Sequence, residues 1–257
     1  MTHEELVAGL KKLNLNQTAH SYIEASRAAE KARLTYEQYL AGLTAAEVTY
    51  KNDQRIKRLA REANLPLEKY LDGYDFSMRT GIAPSDFTRL ARGEFVKEGS
   101  NVVFYGNFGV GKTHLAIALV RELVKKNIRC YFTSTHTLIE QLIDAKRNLT
   151  LLPLYKRLDR YDLIICDELG YVAQTSDGAD LFFQLISQRS ERKSLLITTN
   201  LTYSQWDKVL VNPLNTAAAV ERIVCKCETF NITGPGHRIE EAKKQQALKK
   251  GLTCKPE

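Results

Sequence analysis

The chain has 257 residues, with 37 Lys and Arg against 30 Asp and Glu, a formal charge of +7. Its hydrophobic content of 44% can build a sizeable core, which excludes wholesale disorder. No apolar run approaches the roughly 18 residues that a membrane helix needs, and the opening Met1-Thr2-His3-Glu4-Glu5 has no apolar stretch of a secretory signal.

In chain order, residues 1–68 read as a small all-helical domain. Thr2-His3-Glu4-Glu5, Thr35-Tyr36-Glu37-Gln38 and Thr44-Ala45-Ala46-Glu47 are capping-box patterns, each able to start a helix. A helix from Thr44 places Val48, Ile56, Leu59 and Ala63 near one face, and Leu65-Pro66 ends it. The same helix carries Lys51, Arg55, Lys57, Arg58 and Arg61, with Asp53 the only acid among them. Such a run is a solvated helix face or a phosphate-contacting surface. Residues 69–98 join this part to the next and still pack, given Tyr70, Tyr74, Phe76 and Phe87.

From about residue 99 the rhythm changes. Apolar runs at Asn101–Tyr105, Cys130–Thr133, Leu163–Cys166, Leu195–Thr198 and Thr229–Ile232 are short enough for buried strands. Helical patterns at Thr113–Lys126, Leu138–Arg147 and Ala179–Arg189 separate them. The alternation implies an α/β domain over residues 69–240, with a parallel five-stranded sheet between helices. Residues 241–257 read as a basic tail. Cys130, Cys166, Cys225, Cys227 and Cys254 are odd in number, and three lie in or beside apolar runs. Reduced thiols in a cytoplasmic protein are expected. Cys225-Lys226-Cys227 lacks a partner pair at ligand spacing, so a zinc site is not expected.

Gly106-Asn107-Phe108-Gly109-Val110-Gly111-Lys112-Thr113 fits G-x-x-x-x-G-K-[ST] in full, after a strand and at the start of a helix. The glycines let backbone N–H groups turn toward a phosphate, and the helix adds its positive end. Lys112 supplies a charge to the β- and γ-phosphates, and Thr113 a hydroxyl to Mg2+. The run Leu163–Cys166 ends in Asp167-Glu168. At the carboxyl end of a parallel strand these acids meet the phosphate loop. Asp167 suits the Mg2+ shell, and Glu168 suits the polarisation of an attacking water. Asn200, after the run Leu195–Thr199, would help to place that water.

In their order these stretches resemble the AAA+ ATPases, within them the DnaC-like loader group, and most of all the IstB-like helper ATPases of insertion-sequence transposition. The resemblance spans most of residues 65–240. It rests on Leu67-Glu68-Lys69-Tyr70, Tyr74-Asp75-Phe76-Ser77, Gly111-Lys112-Thr113-His114-Leu115-Ala116, Tyr161–Gly170, and Ser194–Leu201 followed by Ser204-Gln205-Trp206. It implies a P-loop ATPase core without a full C-terminal lid, and places His114 in the nucleotide site. Ala219-Val220-Glu221-Arg222-Ile223 resembles the helix that carries an arginine finger, so Arg222 would reach the γ-phosphate of a neighbouring subunit. Arg189 and Arg192 are alternative fingers. Gly236-His237-Arg238 resembles the group's sensor-2 segment, with Arg238 on the subunit's own nucleotide.

The activity implied is Mg2+-dependent ATP hydrolysis by a homo-oligomer that assembles with ATP on duplex DNA and then recruits and activates a transposase. A helicase loader has the same engine with a different client. A small-molecule kinase is disfavoured by Glu168 and Asn200, and a non-hydrolysing scaffold by Glu168. Lys146, Arg147, Lys156 and Arg157 join the basic N-terminal run as candidate DNA contacts. Without a helix-turn-helix or zinc-finger pattern, such contacts imply weak sequence selectivity.

Overall fold

The computed structural model describes residues 2–66, 69–77, 80–170, 175–210 and 213–235. The chain folds as two compact units, Met1–Arg58 and Leu59–Glu257. The division falls inside a helix, earlier than the expected boundary at residue 68.

The first unit holds α1 (His3–Lys12), α2 (Asn16–Lys31) and most of α3 (Tyr36–Glu62). Two of the three capping boxes form. Glu5 N donates to Thr2 Oγ1 at 3.2 Å and Thr2 N to Glu5 Oε2 at 2.8 Å. Thr35 and Gln38 exchange the same pair of bonds at 2.9 and 3.2 Å. The third box does not start a helix, because Thr44 lies inside the continuous α3 and its hydroxyl donates back to the Leu40 carbonyl at 2.8 Å. Its Glu47 is instead buried and accepts from the Thr18 amide (2.8 Å) and hydroxyl (3.0 Å), so it caps the first turn of α2 from another helix. Val48, expected on the packed face, is 62% exposed. The helix also stops before Leu65-Pro66. It closes at Asn64, in the left-handed region at φ 54°, as asparagine readily allows.

The second unit is built on a five-stranded sheet. Its strands are β1 (Asn101–Tyr105), β2 (Cys130–Ser134), β3 (Leu163–Leu169), β4 (Ser194–Thr199) and β5 (Cys227–Asn231). They pair in parallel throughout, in the order β2-β3-β4-β1-β5. Helices connect and cover them: α4 (Pro84–Ala91) and α5 (Glu94–Lys97) before β1, α6 (Lys112–Lys125), α7 (Thr135–Arg147), α8 (Leu151–Leu158), α9 (Ser176–Arg189), α10 (Asp207–Leu210) and α11 (Pro213–Val224). A sheet with helices on its faces buries both sides, which is why its strands read as continuous apolar runs. Val102, Phe104, Leu163, Ile165, Leu196 and Ile197 are all fully buried. The core continues through Leu138, Leu142, Phe182, Leu185 and Trp206.

Both sheet edges meet other chain. The end of α3 lies on β2, with Phe132 N donating to the Ala63 carbonyl at 2.9 Å and Asn64 Nδ2 to the Phe132 carbonyl at 3.1 Å. Beyond β5, Thr80 and Thr233 form a single antiparallel bridge. Such contacts cover part of each edge. The segment before β1 packs in part as expected: Tyr74 and Phe87 are buried and Phe76 is half-buried, but Tyr70 is 53% exposed. Residues 241–257, the expected basic tail, lie outside the described residues. Among the described residues no helix is long and apolar enough to cross a membrane.

Candidate nucleotide site

The sheet order decides what meets what. β4 stands between β1, which leads into the glycine loop, and β3, which ends in the two acids. The loop 106–111 therefore leaves the carboxyl end of β1, and Asp167 arrives two strands away at the same edge. α6 begins at Lys112. Gly106 and Gly111 are required on two counts. Each has a positive φ, 152° and 98°. A Cβ on Gly106 would lie 2.0 Å from the Ile232 carbonyl oxygen, and one on Gly111 2.7 Å from the Tyr74 ring. Val110 is buried and anchors the loop, whereas Phe108 is 68% exposed.

Lys112 is folded into its own loop. Its Nζ donates to the Gly106 and Asn107 carbonyls, both at 2.8 Å. Burial pushes its ammonium below the ordinary lysine range, and the charges of Asp167 and Glu168 oppose that shift. The neighbouring Thr113 hydroxyl donates to Asp167 Oδ1 at 3.0 Å. Thr198, from the intervening β4, donates to the same oxygen at 2.5 Å. Its own Oγ1 accepts from the Glu168 amide at 2.8 Å. Thr135 Oγ1, at the start of α7, donates to the Asp167 carbonyl at 3.0 Å. Asp167 is thus gripped from three elements. Thr198 and Thr135 were not signalled by the sequence, because only the register of β3 against β4 and the entry of α7 bring them here.

The two acids differ in surroundings. Asp167 is 7% exposed. Burial raises its pKa; the hydrogen bonds from Thr198 and Thr113 partly offset this. Glu168 is exposed, and its backbone is left-handed at φ 58°. The β3–β4 register shifts between Cys166 and Leu169, so Glu168 sits on a bulge that turns it away from the regular alternation. A buried ligand-type carboxylate therefore stands beside a solvent-facing one. Asn200 directly follows β4 and is half-buried.

Asp167 carries a testable linkage. Its folded pKa lies above its unfolded one, so ionisation penalises the ligand-free fold. The penalty is absent below the ordinary carboxylate range and grows as pH rises through the raised pKa. Asparagine retains the Oδ1 acceptor that Thr113 and Thr198 use. Asp167→Asn is thus expected to raise the melting temperature of the ligand-free protein at about neutral pH, at roughly 2–4 °C per kcal/mol for this size. The gain should disappear on acidification. A melt that is lower at neutral pH would contradict the linkage.

A sequence-distant aromatic segment backs the loop. Tyr74 stands edge-on to Phe76 at 4.8 Å and to His114 at 5.5 Å between ring centroids. His114 Nε2 donates to the Tyr70 carbonyl at 2.8 Å. Arg121 lies over the Tyr70 ring at 4.5 Å. His114 therefore ties the first turn of α6 to residues 70–76.

The remaining candidates lie elsewhere. Arg222 Nη1 donates to the Ala218 carbonyl at 2.9 Å, and its guanidinium lies 5.3 Å over the Phe183 ring. The next carbonyl, of Ile223, accepts from Asn101 Nδ2 at 3.0 Å. Asn101 opens β1, whereas the glycine loop leaves its far end. At about 3.3 Å per residue, the backbone beside Arg222 is a strand length from its own loop. Arg189 cannot serve as a finger. It is 2% exposed and its guanidinium donates to four carbonyls, of Leu158, Tyr161, Asp162 and Ser194, at 3.1–3.2 Å. This buried staple ties the approach to β3 to the start of β4, and burial lowers its pKa to about 10. Arg192 is exposed, 3.7 Å from Asp159. Arg238 lies outside the described residues.

The basic candidates are surface residues. Lys51, Arg55, Lys57, Arg58 and Arg61 are exposed on α3, with Lys51 4.0 Å from Glu47. Lys146, Arg147, Lys156 and Arg157 are exposed on α7 and α8. Buried Cys130 and Cys166 are ordinary core thiols, the latter pushed up to about 12 by burial.

The profile of a family described as IstB-like ATP binding protein matches residues 8–247. An insertion sequence IS21 ATP-binding protein of Pseudomonas aeruginosa is 31% identical over 250 residues, 97% of this chain and 93% of that protein. An insertion sequence IS232 ATP-binding protein of Bacillus thuringiensis subsp. berliner is 30% identical over 240 residues, 93% and 96% of the two chains. A solved structure of the DnaC helicase loader superposes with a TM-score of 0.52 at 26% identity, covering 67% of this chain and 99% of that one.

Proposed function

The chain belongs to the IstB-like family of ATP-binding proteins, and from that premise we propose a Mg2+-dependent ATPase of an insertion sequence. It assembles with ATP on duplex DNA and recruits and activates its transposase. The observation that carries the reading is the meeting of the glycine loop and Asp167 across β4, with Thr113 Oγ1 and Asp167 Oδ1 3.0 Å apart.

The glycine loop and the N-terminus of α6 bind the triphosphate through backbone N–H groups. Lys112 leaves the Gly106 and Asn107 carbonyls for the β- and γ-phosphates. Leaving costs little, since a neutral carbonyl is exchanged for an anion. Thr113 and Asp167 offer hard oxygens, a hydroxyl and a carboxylate, which fit Mg2+. When bound, that ion would neutralise phosphate charge. Glu168 accepts a proton from the attacking water, for which its solvent-facing position on the bulge is suited. Asn200 orients the same water. Arg222, too far to reach its own loop, serves the γ-phosphate of a neighbouring copy. The relatives' names, both insertion-sequence ATP-binding proteins that align over nearly the whole chain, support the transposition role. The likeness to a helicase loader supports a second reading with the same engine and a helicase as client.

Duplex affinity in the presence of ATP should fall steeply with salt, with a log–log slope near roughly −0.9 for each phosphate neutralised. Lys156→Glu with Arg157→Glu, or Arg55→Glu with Arg58→Glu, should flatten it. An affinity indifferent to salt would reject the DNA-binding part of the reading.

A further inference from the structure

The turn between α7 and α8 breaks a local rule. The end of α7 is closed by a full Schellman pair, with Thr150 N donating to the Ala145 carbonyl at 2.8 Å and Leu149 N to the Lys146 carbonyl at 3.2 Å. That closure places its corner residue in the left-handed region, where glycine or asparagine is usual. Here the corner is Leu149, at φ 56°. After α1, α3 and α6 the chain uses asparagine for the same purpose, at Asn14, Asn64 and Asn127, and after α2 the polar Arg33 at φ 53°. Leu149 is the one apolar side chain with a positive φ among the described residues.

A bulky side chain makes this conformation unfavourable. Burial would offset the penalty, yet Leu149 is 92% exposed, and Leu152, on the first turn of α8, is 64% exposed. The fold gains neither backbone ease nor apolar burial from leucine at this corner. An outlier that does nothing for the fold points to function.

The surroundings say what kind. Residues 146–160 hold Lys146, Arg147, Lys156, Arg157 and Arg160 against one acid, Asp159, and all six are exposed. Lys146 is 3.3 Å from Asp177 and Arg147 3.8 Å from Asp144. These are exposed pairs, worth little and readily exchanged for phosphates. An apolar corner on a segment rich in exposed cations complements a surface with anions outside and apolar faces within. A nucleic-acid duplex has that pattern, with phosphates along the groove and stacked bases between them.

We propose that Leu149, backed by Leu152, is a wedge that enters a base step of duplex DNA and partly unstacks it, while Lys146, Arg147, Lys156 and Arg157 hold the flanking phosphates. The inference rests on the duplex-binding reading above and adds to it a deforming residue. Pyrimidine–purine steps unstack most easily, so the wedge favours TA and CA steps without reading base edges. It therefore supplies a mild preference by deformability, in a chain whose basic residues supply none.

The test uses the full chain with ATP, Mg2+ and a duplex of several helical turns. The duplex carries 2-aminopurine beside a TA step and a donor–acceptor pair at its ends. Wild type should brighten the 2-aminopurine and shorten the end-to-end distance. Leu149→Asn and Leu149→Gly should lose both signals, keep the salt slope, and melt roughly 2–4 °C higher because the corner is relaxed. Leu149→Met should keep both signals. If wild type fails to bind the duplex, the duplex-binding reading falls and takes the wedge with it. If wild type binds and distorts the duplex and the asparagine variant does so equally, the wedge alone is overturned. A melt unchanged or lowered in both variants would also overturn it, since leucine would then be serving the fold itself.

Discussion

Arg222→Ala is expected to slow ATP hydrolysis by about 10³–10⁵-fold, the range of arginine fingers, while ATP affinity stays within a few-fold of wild type. Distance is the reason. Arg222 stands beside the amino end of β1, through the Asn101–Ile223 hydrogen bond, whereas the glycine loop leaves the carboxyl end. Its present contacts are weak. One is a bond to the Ala218 carbonyl in its own helix, the other a stack on Phe183. A guanidinium so held is released at small cost, and its loss removes no buried ion pair. The variant should therefore fold and bind. Isothermal binding of ATP beside steady-state phosphate release checks both halves. Unchanged turnover would remove Arg222 from the mechanism and leave the exposed Arg192 as the alternative.

Glu168→Gln should lower kcat by about 10²–10⁴-fold, the usual worth of a positioned general base, and keep nucleotide binding. The substitution retains shape and the exposed position, and leaves the Glu168 backbone bond to Thr198 untouched. It removes only the group that accepts a proton. The lost carboxylate charge also repels the triphosphate, so ATP affinity should hold or tighten slightly. ATP-bound assemblies should persist. Loss of binding together with turnover would mean that Glu168 holds the nucleotide and not the water.

The sheet was legible because buried strands need apolar runs whatever surrounds them. The expected run Asn101–Tyr105 is β1 to the residue, and the others differ by a few positions. β5 starts two residues before the expected Thr229 because its first residues, Cys227 and Glu228, face an incompletely covered edge and need not be apolar. β3 continues through Asp167 and Glu168, since a bulge and a buried hydrogen-bonded acid let polar residues stay in a strand. The glycine loop and the acid pair were legible because phosphate and cation chemistry restricts residue types at fixed spacing. Their supports were not. Thr198 reaches Asp167 through strand register, and Tyr70, Tyr74 and Phe76 come to His114 and its surroundings from a distant segment of the chain. Thr44-x-x-Glu47 misled because the same residues are tolerated inside a helix when Glu47 caps a neighbour. Arg189 misled because an arginine near a strand reads as surface, while its guanidinium is consumed by four carbonyls.

A complete site, in the proposed mechanism, draws Glu168 from one copy and Arg222 from the next. Mixing the Arg222→Ala and Glu168→Gln proteins with ATP, Mg2+ and duplex DNA tests this most directly. The first keeps its base and lacks a finger; the second keeps its finger and lacks a base. Phosphate release should rise well above the sum of the two separate rates, from Arg222→Ala sites completed by the arginine of a Glu168→Gln neighbour. A rate equal to that sum, at concentrations where the wild type is active, would contradict a site shared between copies.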